Sequence, residues 1–107
     1  MPPKGPSDKT ASRSLTATQI AYRVKEAILV IYGMNQPDPD SLSGTQPMSS
    51  FDFNDFQWIE LAGRLTGIVQ AYRPGQRVAV RDVENMATVQ DCIDLVNHLV
   101  TPKSGNA

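Results

Sequence analysis

Cysteine and histidine each occur only once, as Cys92 and His98. One cysteine excludes a disulfide within the chain and a four-cysteine zinc site, and one histidine excludes a pair of imidazoles on a metal. Long apolar runs are lacking as well. The longest strongly apolar stretch, Ala27 to Tyr32, falls far short of the roughly 20 residues that cross a bilayer. No basic segment followed by an apolar one opens the chain, so no secretory signal is read. Positive charge is not in excess either: 10 Lys and Arg stand against 11 Asp and Glu, for a net charge of −1. That balance gives no pull toward nucleic acid or anionic membrane. Hydrophobic residues make up 40% and charged ones 20% of the 107 residues, too apolar a composition for wholesale disorder. One small, soluble, cytoplasmic domain is expected.

The ends differ from the middle. Residues 1–14 hold three prolines, a glycine and polar groups, with only Met1 and Ala11 apolar, and Thr101 to Ala107 is similar. Neither segment has the apolar surface to offset its ordering entropy, so both are read as flexible tails around a domain of residues 15–100. The charges divide along the same lines. Lys4, Lys9 and Arg13 against Asp8 give the first tail +2, and Lys103 gives the last +1. With a total of −1, the segment between them carries −4. It is acidic although the whole chain looks neutral.

Inside that segment the hydrophobic period is helical. Ile20, Val24, Ile28 and Ile31 share one face of a helix read over 17–32. Thr16 and Gln19 form a capping box at its start, Leu15 and Ile20 a hydrophobic staple, and Gly33 a stop. A long connection follows over 35–50, with Pro37, Pro39, Gly44 and Pro47; such length is more often functional or held by packing than idle. Trp58, Leu61, Leu65, Ile68 and Tyr72, widened by Ile59, Ala62 and Val69, mark a second helix. Asn54 or Asp55 caps it, and Arg73-Pro-Gly-Gln ends it. Gly63 and Gly67, four apart, weaken this helix and are read as admitting a close neighbouring helix. Val78 and Val80 alternate as in a strand, but a lone strand leaves its backbone unpaired, so an extended entry into a short helical turn at 82–86 is preferred. The last helix, 89–99, has Thr88 as N-cap, Asp91 at N3, and a stripe of Val89, Ile93, Val96 and Leu99. The expected fold is an all-α bundle of three main helices plus one short helix, with a long loop between the first and second.

That order of elements resembles the acyl carrier protein family. The segment from Glu84 to Val96 is similar to the family's last stretch, where Thr-Val opens the final helix and Ile-Asp lies inside it. The first helix, ending Ile-Tyr-Gly-Met, resembles the carrier helix ending Leu-Gly-Val. The likeness covers roughly residues 17–99 and rests on pattern and order. It implies an Asp-Ser-Leu motif at the start of the second helix, whose serine carries phosphopantetheine, with a Glu-Leu a few residues on. Setting Glu60-Leu61 on that Glu-Leu puts Asn54-Asp55-Phe56 on Asp-Ser-Leu, so Asp55 stands at the serine's place. A carboxylate cannot form the same phosphodiester, and no phosphopantetheine cofactor is expected at this position. A helix cap is the simpler role for such an aspartate. In a competing register, Ser50-Phe-Asp-Phe-Asn-Asp-Phe matches Ser-Leu-Asp-x-x-Glu-Leu and Ser50 is the attachment residue. That register requires a helix from about Phe51 to Tyr72 and puts Ser49 where the family has an acid.

Other candidates carry less chemistry. Cys92 lies near the apolar face of the last helix, where a lone cysteine is usually a small buried hydrophobe. His98 reads as a surface or capping residue. Asp38 and Asp40 read as solvated rather than metal-binding. Arg64, Arg73, Arg77 and Arg81 form either a docking patch or compensation for nearby acids. No nucleophile, base and orienting group are set together, so no catalysis and no metal are expected. Two functions remain open. One is a carrier-like domain docking on partner enzymes of fatty acid, polyketide or related biosynthesis through Asp52, Asp55, Trp58 and Glu60, with part of the cluster Phe51, Phe53 and Phe56 as an interaction surface. The other is a structural or assembly bundle that binds partners or itself and carries no acyl group.

Overall fold

The computed structural model describes the backbone of residues 5–101 and the side chains from residue 17. The helix α1 spans Gly5–Tyr32, α2 spans Asp55–Gln70, α3 spans Val80–Glu84 and α4 spans Val89–Val100. No strand occurs among the described residues. The fold is a small all-α bundle of three main helices and one short one.

The start of α1 differs from expectation. The helix begins at Gly5 rather than at residue 17, so residues 5–14 are helical backbone and Thr16 lies in the helix interior. The reason lies in the residues that stop helices. Pro6 falls in the first turn, where proline costs little, and neither proline nor glycine recurs before Gly33. A capping pair can open a helix, but it does not bar one that arrives from upstream. The expectations for residues 1–4 and 102–107 lie outside the described residues. The stop is as expected. Gly33 has φ of 115°, its N–H donates to Val30 O at 3.0 Å, and Met34 N–H donates to Leu29 O at 3.1 Å. This pair of bonds satisfies carbonyls left open at the helix end.

The long connection is held in place. It contains two 3₁₀ turns, Pro39–Ser41 and Met48–Phe51, and buries Leu42, Met48, Phe51 and Phe53. Its backbone is tied to the start of α4: Met48 N–H donates to Ala87 O at 2.9 Å, Val89 N–H to Gln46 O at 3.0 Å, and Gln90 N–H to Gly44 O at 2.8 Å. Packing explains its length.

Ile20, Val24 and Ile28 of α1 meet Leu61, Leu65 and Val69 of α2, Val83 of α3, and Val89, Ile93 and Val96 of α4 in one core. The buried line of α2 ends at Val69; Tyr72 lies past the end of the helix and is partly exposed. Pro74 and Gly75 make the expected turn, closed by Gln76 N–H donating to Arg73 O at 3.0 Å. The extended residues before α3 solve the lone-strand problem with a side chain. Val78 N–H donates to Thr66 Oγ1 at 2.9 Å, and the Thr66 hydroxyl donates to Val78 O at 3.3 Å. The short helix then begins at Val80, two residues earlier than expected. Thr88 and Asp91 form the reciprocal cap of α4 as the sequence indicated.

Candidate docking surface

The chain approaches α2 through a left-handed residue, Asp52 at φ 53°. Asn54, rather than Asp55, is the N-cap. Its Oδ1 accepts from Gln57 N–H at 2.9 Å, and Gln57 Oε1 accepts from Asn54 N–H at 2.9 Å. The amide of Gln57 also donates to Ile31 O at 3.1 Å, which fixes the start of α2 against the end of α1. The capping role read as open to either residue thus belongs to Asn54, the better-placed oxygen. Asp55 becomes the first helical residue, with its side chain exposed. A carboxylate there faces the positive end of the helix dipole without closing a hydrogen bond.

Most of the aromatic cluster is structural. Tyr32 meets Phe51 edge-on with centroids 5.3 Å apart, Phe51 stacks on Phe53 at 5.5 Å, and Phe53 meets Trp58 edge-on at 5.3 Å. Trp58, taken from sequence as part of the docking set, is half-buried on the inner side of α2 and packs against the core with only part of its ring exposed. Phe56 does the opposite. It is 82% exposed, and Ile59, assigned from sequence to the buried stripe, is 55% exposed. Ile59 lies two residues before the buried Leu61, and two positions turn a helix by about 200°, to its opposite side. That offset is the signal the sequence offers. Asp55, Phe56, Ile59 and Glu60 together form the outer side of the first turns of α2. Glu60 Oε2 lies 3.4 Å from Arg64 Nη2, both groups about half exposed.

The outward face continues through Gly63 and Gly67. A Cβ built at either meets nothing within 4 Å, so these glycines do not admit a neighbouring helix of the bundle. Beside Gly67 a shallow groove of about 500 Å³ runs between α1 and α2, with Arg23, Glu26, Val30, Arg64 and Tyr72 on its walls.

Ser50 stands elsewhere. It lies in the second 3₁₀ turn, donates to Pro47 O at 2.6 Å and accepts from the amide of Gln46. The helix from Phe51 that the competing register requires is not formed, because Asp52 turns left-handed and α2 starts at Asp55.

Cys92 is buried, and burial, with the nearby Asp91 carboxylate adding to it, pushes its thiol up to about 12. Such a thiol stays protonated and unreactive at neutral pH. His98 is exposed in the last turn of α4. Among the described residues no three His, Cys, Asp or Glu side chains gather as metal ligands, and Asp38 and Asp40 are both exposed. No described helix is long and apolar enough to cross a membrane.

No family model, curated protein or solved structure matches this chain. Nothing in these comparisons identifies an acyl carrier protein.

Proposed function

We propose that this chain is a cytoplasmic, non-catalytic docking domain of acyl-carrier-like build that presents the outer face of α2 to partner proteins, enzymes of acyl-chain biosynthesis in the first place. One observation carries the reading. The first turns of α2 expose Phe56 and Ile59 beside Asp52, Asp55 and Glu60. An aromatic at 82% exposure on a well-capped helix gains nothing from its own fold, while a desolvated aromatic with a charged rim is the usual anchor of a protein interface. The acids would steer a basic partner.

In this reading Asp55 occupies the place of the carrier serine and no arm is attached. Intact mass after incubation with coenzyme A and a broad-specificity phosphopantetheinyl transferase tests it. Wild type should gain no mass, and Asp55→Ser should gain one phosphopantetheine. Modification of wild type that disappears in Ser50→Ala would overturn it and make the chain an acyl carrier. The assembly reading draws support from a separate observation, the continuation of the exposed face through Gly63 and Gly67, which suits packing against another helix.

A further inference from the structure

We infer that the outer face of α2 pairs with the same face of a second copy of this chain, the two helices running antiparallel about a two-fold axis that crosses the outer face midway between the heights of Phe56 and Gly67. The inference rests on α2 as the docking element and names one occupant for it. Two features make this face complementary to itself, and a third bounds the size of the contact.

The first is shape. The projecting side chains, Phe56 and Ile59, lie in the first half of α2, and the surface without side chains, Gly63 and Gly67, lies in the second half. Phe56 and Gly67 are separated by eleven positions, about 16 Å along the axis. An antiparallel copy centred between them sets each Phe56 over the other copy's Gly67, at the mouth of the groove between α1 and α2. Both exposed rings are then covered at once, as a closed two-fold contact requires.

The second is charge. Asp55 and Glu60 give the first half of α2 only negative groups, with Asp52 just ahead of it. Arg64 lies in the second half, and Arg23 stands with it on the groove wall against the single Glu26. Antiparallel pairing brings Glu60 of each copy beside Arg64 of the other, exchanging the two i,i+4 pairs, one in each copy, for two intermolecular ones. A parallel pairing would set Asp55 on Asp55 and Glu60 on Glu60, and like charges oppose it. Arg64 also lies where the incoming Phe56 ring can accept a cation on its face.

The third is size. A helix of 16 residues is about 24 Å long, so its single face gives an interface at the small, transient end of the known range. The concentrations that test it therefore span the micromolar range and above.

Sedimentation velocity of the full chain from roughly 5 to 500 μM tests this. Wild type should pass from monomer to dimer within the range. Phe56→Asp should shift the midpoint upward by about tenfold or more. Glu60→Lys and Arg64→Glu should each weaken the dimer alone, yet an equimolar mixture of the two should pair better than either. All three positions are exposed, and unchanged far-UV circular dichroism shows that each variant is folded. Wild type that stays monomeric throughout, a dimer indifferent to Phe56→Asp, or a mixture no better than its parts would overturn the pairing. If wild type stays monomeric while Phe56→Asp still abolishes capture of a biosynthetic enzyme, self-association fails and the docking reading stands.

Discussion

Asn54 and Asp55 are adjacent polar residues with different tasks, and hydrogen-bond geometry separates them. Asn54 closes a reciprocal cap with Gln57, whereas Asp55 contributes only a charge near the helix start. Asn54→Ala should therefore lower stability by about 0.5–2 kcal/mol. Asp55→Asn should cost no more than the roughly 0.3–1 kcal/mol of a charge–dipole interaction, and less as salt is added. Thermal melts of the two variants at low and high ionic strength check the difference. Cys92 gives a second test at the same scale. Its thiol is pushed up to about 12 in the folded chain, against about 8.5 in an unfolded one. The unfolded state thus loses its proton first as pH rises. Stability tied to this group is complete below about pH 8.5 and declines between there and about 12. At pH 8, alkylation of Cys92 should be slow in the native protein and fast in denaturant; equal rates would show that the thiol is not buried.

The elements differ in how much of each is legible in the sequence alone. The ends of α2 and α4 are legible because their signals are local: Asn54, Pro74, Thr88 and Asp91 act on atoms within four residues of themselves. Gly33 is legible for the same reason. The true start of α1 is not, because a capping pair at Thr16 resembles a beginning whether or not helical backbone precedes it. The long connection is legible as a feature but not as a fold, since its bonds run to Ala87, Val89 and Gln90, some forty residues away. The period of α2 does set Trp58, three residues before the buried Leu61, on the inner side and Ile59, two before it, on the outer side; what the sequence does not show is that Phe53 is the ring that covers Trp58. Two substitutions test this description. Met48→Ala, in the packed connection, should cost about 2–5 kcal/mol by denaturant unfolding, as for a core methionine on a helix. Gly33→Ala should cost about 1 kcal/mol through its left-handed backbone, although the added methyl would touch nothing.

At the scale of the whole molecule the core is closed and apolar, with no buried polar or charged side chain among the described residues. What remains on the outside is uneven. One helix face carries an uncovered aromatic, an uncovered isoleucine, two bare glycines, and acids at its start with a single arginine beyond them. Docking on that face is the central claim, and a contact formed at Phe56 inside living cells tests it most directly. Phe56 is replaced by photoreactive p-benzoylphenylalanine, and in a parallel sample Glu84, an exposed residue of α3, is replaced in the same way. After irradiation, position 56 should yield a discrete protein adduct, with a partner protein or a second copy of this chain, and position 84 should yield none. An absence of adducts from position 56, or equal adducts from both positions, would contradict the claim.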